Sequence, residues 1–252
     1  MGATKSILAV VGHMFERELC LQECKKVRYD QSSWKDDHCR DFFELLAQDS
    51  VMSSVKQATP EVSIHELISK RWSPYAFSDR PVAETDLRAI FEAARWAPSS
   101  YNEQPWRYIV ATRDDIAEFE KVLSCLNEGN REWAIAAPVL AIGCFHSRFQ
   151  RNGNPNVAAP HDLGLASATL TFEATHRGLS VHQMIGILPD QARAVFKIPD
   201  DVQPMTALAI GYVAPPEALP EHLEERDQSA RSRRLVAEFV FTGIWDSPAR
   251  FV

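Results

Sequence analysis

Apolar residues recur at helical spacing in two clear stretches. Leu87, Ile90, Phe91 and Ala94 form one stripe and Ile116, Phe119, Leu123 and Leu126 another, each able to bury one helix face. Short polar residues stand where helices should begin. Ser63 and Glu66 form a candidate capping box ahead of Leu67 and Ile68, predicting a short helix to about Lys70. Thr85 precedes the first stripe as a cap, and Thr112 to Asp115 is a capping signal for the second. A further helix carries Leu163, Ala166, Leu170 and Ala174, with Asp162 as its cap and Gly178 in a favoured C-terminal position. Apolar runs suited to strands lie between them: Tyr108 to Thr112, Val139 to Phe145 after Pro138, and Met205 to Tyr212. Helices thus alternate with isolated strands, with no internal repeat or low-complexity tract.

One connection stands out. Ala97 to Trp106, APSSYNEQPW, leaves the first apolar helix at Pro98 and packs two prolines, two serines, an asparagine and a glutamine into ten residues. A surface turn needs fewer such groups, whereas a loop lying against a polar planar ligand uses many short hydrogen-bonding side chains beside rigid prolines.

The first sixty residues lack this regularity, so the chain divides into an appended segment, 1–60, and one large domain, 61–252. Within the segment, Cys20, Cys24, His38 and Cys39 invite a zinc reading, but adjacent His38 and Cys39 are awkward as co-ligands and free thiols are the simpler expectation. MGATKS also fits a myristoylation pattern through Gly2 and Ser6. Ile7 to Val11 is too short to span a bilayer and is followed by no convincing cleavage signal, so neither a membrane association nor a signal peptide is expected.

At 252 residues and 45% hydrophobic content, the chain reads as a soluble globular protein. A net charge of −7 argues against a nucleic-acid partner, because phosphate neutralisation needs clustered Lys and Arg. Five cysteines without regular spacing suit a reducing compartment, and hence the cytoplasm.

No G-x-G-x-x-G, G-x-x-x-x-G-K-[ST] or H-E-x-x-H occurs, so a Rossmann site, a P-loop and a zincin helix are unsupported. Three polar clusters remain: Arg71 with Ser73, the 97–106 loop, and Arg231, Ser232, Arg233 and Arg234. A guanidinium beside a hydroxyl suits a phosphate, since it donates two hydrogen bonds while neutralising charge. The plainer reading of the C-terminal arginines is a solvated helix face.

Six motifs, taken in order, resemble the FMN-dependent nitroreductase family. They are KRWSPYAFSDRPV, APSSYNEQPWRYIVA, GNREWAIAAPVL, DLGLASATLTFEATHRGL, HQMIGI followed by IPDDVQPMTALAIGY, and RSRRLVAEFVF ahead of Trp245. The resemblance runs from Ser63 to Trp245 and leaves the N-terminal segment unexplained.

That resemblance implies an α+β fold, a three-layer sandwich with a central, mainly antiparallel sheet flanked by helices, in an intertwined homodimer with two FMN sites at the interface. It implies that Arg71, Ser73, Arg231 and Arg233 hold the FMN phosphate and ribityl chain, with Trp72 and Tyr75 in the same motif. Pro98, Ser99, Ser100 and Asn102 would approach the isoalloxazine ring from the partner subunit, Asn130 would contact the flavin, and Gln183, Met184, Ile185 and Gly186 would lie on its N5 side. No side chain is expected to act as a catalytic nucleophile and no metal is expected. NADPH or NADH would be the reductant, and a nitroaromatic, quinone or similar small molecule the electron acceptor. The same resemblance leaves open a non-catalytic FMN-binding or sensing protein, and other flavin reactions such as reductive dehalogenation or flavin fragmentation.

Some positions have simpler explanations or depart from the pattern. Pro98 suffices as a helix stop, Asn102 as a turn residue, Gly186 as a strand-end bend and His182 as a core histidine. Trp96, Trp106 and Trp133 are expected to fill core. Tyr75 stands where family members often carry a basic residue and Trp72 where Arg or His is common, which removes a positive charge from the expected phosphate site. Ile185 and Ile187 stand where a related subgroup often has Gly and Phe.

Overall fold

The computed structural model describes residues 55–252. The candidate zinc ligands Cys20, Cys24, His38 and Cys39 and the Gly2–Ser6 pattern lie outside the described residues. Four strands, β1 (Trp106–Thr112), β2 (Val139–His146), β3 (Ser180–Met184) and β4 (Val202–Gly211), form one sheet in the order β1-β2-β4-β3. Every neighbouring pair is antiparallel, with Ile109 opposite Ile142, Val139 opposite Ile210 and Gln183 opposite Leu208. The register shifts between Gly143 and Cys144, where a Cβ on Gly143 would come within 2.7 Å of the Thr206 methyl; only glycine lets the strands pass this closely.

The helices are α1 (Glu66–Lys70), α2 (Glu84–Arg95), α3 (Ile116–Ser124), α4 (Glu128–Ala134), α5 (Ala159–His176), α6 (Pro189–Phe196) and α7 (Glu221–Gln228). Alternation along the central strands sends side chains to both faces. Leu140, Ile142, Ala207 and Ala209 meet Phe119 and Val122 of α3, Trp133 of α4 and Ala192 of α6. Val139, Ala141, Leu208 and Ile210 meet Ile90 and Ala94 of α2 and Leu163, Ala166, Leu170 and Ala174 of α5. Because both faces are covered, β2 and β4 read as nearly continuous apolar runs. The result is the α+β, helix–sheet–helix arrangement the sequence suggested. Among the described residues no helix is long and apolar enough to cross a membrane.

Helix starts differ from the sequence reading. His65, not Ser63, caps α1 through its Nδ1, which accepts from the Leu67 amide at 3.2 Å. Thr85 lies inside α2, whose cap is Ala83 and carries no side-chain bond. Asp115, the far end of the Thr112–Asp115 signal, is the cap of α3, accepting from the Glu118 amide at 3.1 Å. Helix α5 starts three residues before Asp162, with Pro160 in its first turn, so Asp162 is free for another task. At its far end, Gly178 adopts φ +74°; its amide bonds Thr175 O at 3.1 Å and the Leu179 amide bonds Ala174 O at 2.8 Å, a Schellman closure. Trp106 and Trp133 are buried, but Trp96 is 73% exposed, its indole donating to Glu92. Residues Arg231 to Arg234 follow α7 as irregular chain, not as a helix face.

Candidate functional site

Positive charge converges where α1 ends and α7 is followed by irregular chain. Arg71, the C-cap of α1, places Nη1 3.3 Å from Ser73 Oγ. Arg231 donates through Nη1 to the carbonyls of Ser69 at 2.8 Å and Lys56 at 3.1 Å. Burial, then the neighbouring charges of Arg231 and Arg233, push the Arg71 pKa below its usual value, and burial followed by Arg233 does the same to Arg231. Arg71 and Arg231, whose charge neighbouring guanidinium groups disfavour, beside a hydroxyl, are suited to a dianionic phosphate.

The carboxylate in this cluster is already occupied. Asp227 of α7 is 1% exposed and accepts from the Tyr75 amide at 2.9 Å and the Ala76 amide at 2.9 Å, fixing the turn that carries Ser73. Burial raises its pKa, which these amide bonds and the Lys56 charge oppose. Lys56 itself is buried, and its Nζ lies 5.1 Å from the centre of the Trp72 ring.

Tyr75 links this cradle to a second group. Its ring meets Trp133 of α4 edge-on at 5.2 Å and His182 of β3 at 4.8 Å, while Arg226 Nη1 donates to its hydroxyl at 3.2 Å. A cation therefore stands next to the position at which the sequence lacks one. His182 bonds Pro74 O through Nδ1 at 2.8 Å and packs 4.4 Å from Trp133. Burial lowers its pKa, the Pro74 carbonyl opposes this, and Arg71 lowers it further.

The same elements present Asn130 and Gly186. Asn130 Nδ2 and the Asn127 amide each donate to Gly186 O at 3.0 Å, and Asn127 caps α4 by accepting from the Asn130 amide. A Cβ at position 186 would lie within 2.5 Å of the side-chain nitrogens of both Asn127 and Asn130. Met184 is buried in the core and its carbonyl accepts from Thr206 Oγ1 at 2.9 Å, whereas Ile185 is 69% exposed. Gln183 reaches the other way, donating to Ser167 O at 3.1 Å and Thr171 Oγ1 at 3.0 Å on α5.

The loop after α2 forms a separate group. Tyr101, Asn102 and Gln104 have φ of +54°, +57° and +51°, unusual for residues with side chains. The backbone is held by Ser99 Oγ, which accepts from the Gln104 amide at 3.0 Å, and by Asp162, which accepts from the Ser100 amide at 3.1 Å. Pro98 and Asn102 are exposed, and Ser99 and Ser100 half-buried. Among the described residues no hydrogen bond joins this loop to the arginine cradle. The fold thus assembles Arg71, Trp72, Ser73, Tyr75, Arg231 and Arg233 in one place and connects them through Tyr75 and His182 to the elements bearing Asn130 and Gly186, while Pro98 to Asn102 stand on their own.

Lys56, Asp227, Arg226 and Asn127 were not singled out from the sequence. Asn127 had a usable signal, a cap residue just before a short helix; Asp227 in EHLEERDQ looks like any solvated acidic helix, and Lys56 lies in a segment without periodicity.

Known proteins bear on this arrangement. A profile of the nitroreductase family matches residues 68–212, more than half of the chain. A 15.4 kDa protein of Mycolicibacterium smegmatis, itself uncharacterised, is 33% identical over 149 residues, 56% of this chain and 99% of that protein. A putative NADH dehydrogenase/NAD(P)H nitroreductase of Methanothermobacter thermautotrophicus is 28% identical over 61% of this chain and 79% of its own length. The crystal structure of an oxidoreductase containing FMN superposes with a TM-score of 0.71 at 31% identity, covering 75% of this chain and 96% of that one. The fold is of the nitroreductase class, and this chain belongs to the nitroreductase family. The family match ends before α7, so Arg231 and Arg233 of the cradle lie outside it.

Proposed function

We propose that this chain works as a cytoplasmic homodimer that binds FMN and uses NAD(P)H to reduce flat, electron-poor acceptors such as nitroaromatics or quinones. Family membership supports the class of flavin-linked oxidoreductase, and the FMN-containing structural relative supports the cofactor. The observation that carries the reading is Arg71 beside Ser73 with the charges of Arg231 and Arg233 close enough to act on it, where the buried carboxylate of this cluster, Asp227, is consumed by backbone amides.

FMN would supply the two-electron redox chemistry that the side chains of this protein do not offer. The chain's own residues bind and orient. Arg71, Arg231 and Arg233 would neutralise the phosphate and Ser73 would donate to it, with Trp72 and Tyr75 walling the site. Asn130 fixes the Gly186 carbonyl and so braces the Gln183–Gly186 segment, whose backbone would face the ring edge. Pro98, Ser99, Ser100 and Asn102 would approach the ring of the partner's site, which accounts for a loop that is rigidly braced yet unconnected to its own cradle. The C-terminal segment favours association: Leu235, Phe239, Ile244, Trp245 and Phe251 are all more than half exposed, an apolar surface more fitting for a partner subunit than for water.

An absorption spectrum tests the reading. Purified protein should be yellow, carry about one FMN per protomer, bleach on addition of NADPH or NADH and recover with menadione or a nitroaromatic. Colourless protein that cannot be reconstituted with FMN overturns it; yellow protein without NAD(P)H oxidation leaves binding in place and removes the enzyme.

A further inference from the structure

Lys56 precedes both the family match and the boundary expected near Pro60, yet it is only 5% exposed. An ammonium withdrawn from water needs strong compensation, and its Nζ donates to two carbonyls, those of Arg226 and Ser229, each at 2.6 Å. These carbonyls close the C-terminal end of α7, where unpaired acceptors and the helix dipole both draw a cation. Burial lowers the Lys56 pKa; Asp227 favours its charge and Arg231 opposes it.

The main chain of the same residue does a second thing. Lys56 O accepts from Arg231 Nη1 at 3.1 Å, and the other acceptor of that nitrogen, Ser69 O, is also bonded by the Ala58 amide at 2.9 Å. Residues 56–58 are therefore braced between the end of α1 and the chain leaving α7, and the Arg231 guanidinium is aimed by a carbonyl of the residue whose ammonium holds the Arg226 and Ser229 carbonyls just before it.

We propose that Lys56 is a positioning residue for the phosphate of FMN: its ammonium anchors the 226–229 carbonyls and its own carbonyl orients Arg231 toward the phosphate. The proposal rests on the FMN reading above. It predicts a defect confined to the phosphate end of the ligand, which a general loss of packing would not produce. It also places the start of the functional domain ahead of residue 56.

The test uses the full chain stripped of flavin and titrated with FMN and with riboflavin, which lacks the phosphate, followed by quenching of flavin fluorescence. Lys56→Met should weaken FMN binding by about tenfold or more while riboflavin binding changes by less than about twofold. Unchanged FMN affinity overturns the proposal, and so does an equal loss for both flavins. If Lys56→Met does not fold, Lys56→Arg combined with Arg231→Gln decides: FMN losses smaller together than the sum of the single losses support coupling through Lys56, and strictly additive losses overturn it. Wild-type protein that binds neither flavin sinks the FMN reading itself, a result distinct from a normal wild type beside an unaffected variant.

Discussion

The buried carboxyl group of Asp162 on α5 accepts a hydrogen bond from the amide of Ser100 at 3.1 Å, so a side chain 62 residues away holds the loop between α2 and β1. That residue is 2% exposed and the loop it holds contains three left-handed residues, a conformation that persists only where its surroundings impose it. Asp162→Ala should cost about 1–3 kcal/mol of stability and speed hydrogen exchange at the Ser100 amide. Native exchange in the variant would show that the loop holds itself.

Besides burial, the charges of Arg231 and Arg233 disfavour that of Arg71, and Arg233 disfavours that of Arg231. Arg71→Ala should therefore leave the melting temperature of the flavin-free protein equal or higher, while the rise in melting temperature on adding FMN shrinks. A variant whose FMN-induced rise matches wild type would remove Arg71 from the phosphate site.

Two glycines make a matched pair. Gly186→Ala forces a methyl against the amides of Asn127 and Asn130 and should lose about 1–3 kcal/mol by urea denaturation. Gly129→Ala in α4 meets nothing within 4 Å and should gain about 0.5–1 kcal/mol through helix propensity. Equal effects at the two sites would contradict the packing described.

His182 makes stability depend on pH in a defined direction. Burial, and then Arg71 against the opposing Pro74 carbonyl, leave its folded pKa below 6.5. Above pH 6.5 both states are neutral and nothing is lost. As pH falls through 6.5 the unfolded chain takes up the proton first, so stability drops until the folded pKa is reached, by at most about 1.4 kcal/mol per pH unit. Urea midpoints for wild type and His182→Phe at pH 7.5 and 5.5, about one unit either side of the free histidine value, should diverge only at the lower pH. Parallel curves would assign the acid sensitivity elsewhere.

Much of the architecture was legible because it repeats along the chain. The stripes of α2, α3 and α5 and the apolar runs of β2 and β4 are set by which face meets the sheet, and they appear where the spacing placed them. Helices α4, α6 and α7 have no more than eight residues, too few turns to declare a stripe, and β3 is too short to stand out. Caps were misread at Thr85 and Asp162 for one reason: a short polar side chain before an apolar stripe signals a helix start, but Asp162 spends its acceptors on a distant loop. Trp96 shows the limit of composition, being kept at the surface by Glu92 and Arg95 on its own helix. The arginines of the cradle could be read from residue type, whereas Lys56 and Asp227 could not, because their partners lie more than 150 residues away.

Lys56 and Arg231 touch across 175 residues, and Tyr75 and Asp227 across 152. Closing so long a loop costs conformational entropy, and here a few polar contacts do the closing against the repulsion of neighbouring cations. An anion seated among those cations would act as a stitch between early and late parts of the chain, relieving the repulsion at the seam. Flavin-free protein should come apart there first, with proteases cutting in the 229–240 region before the sheet yields, and bound FMN should delay that first cut more than it delays global unfolding.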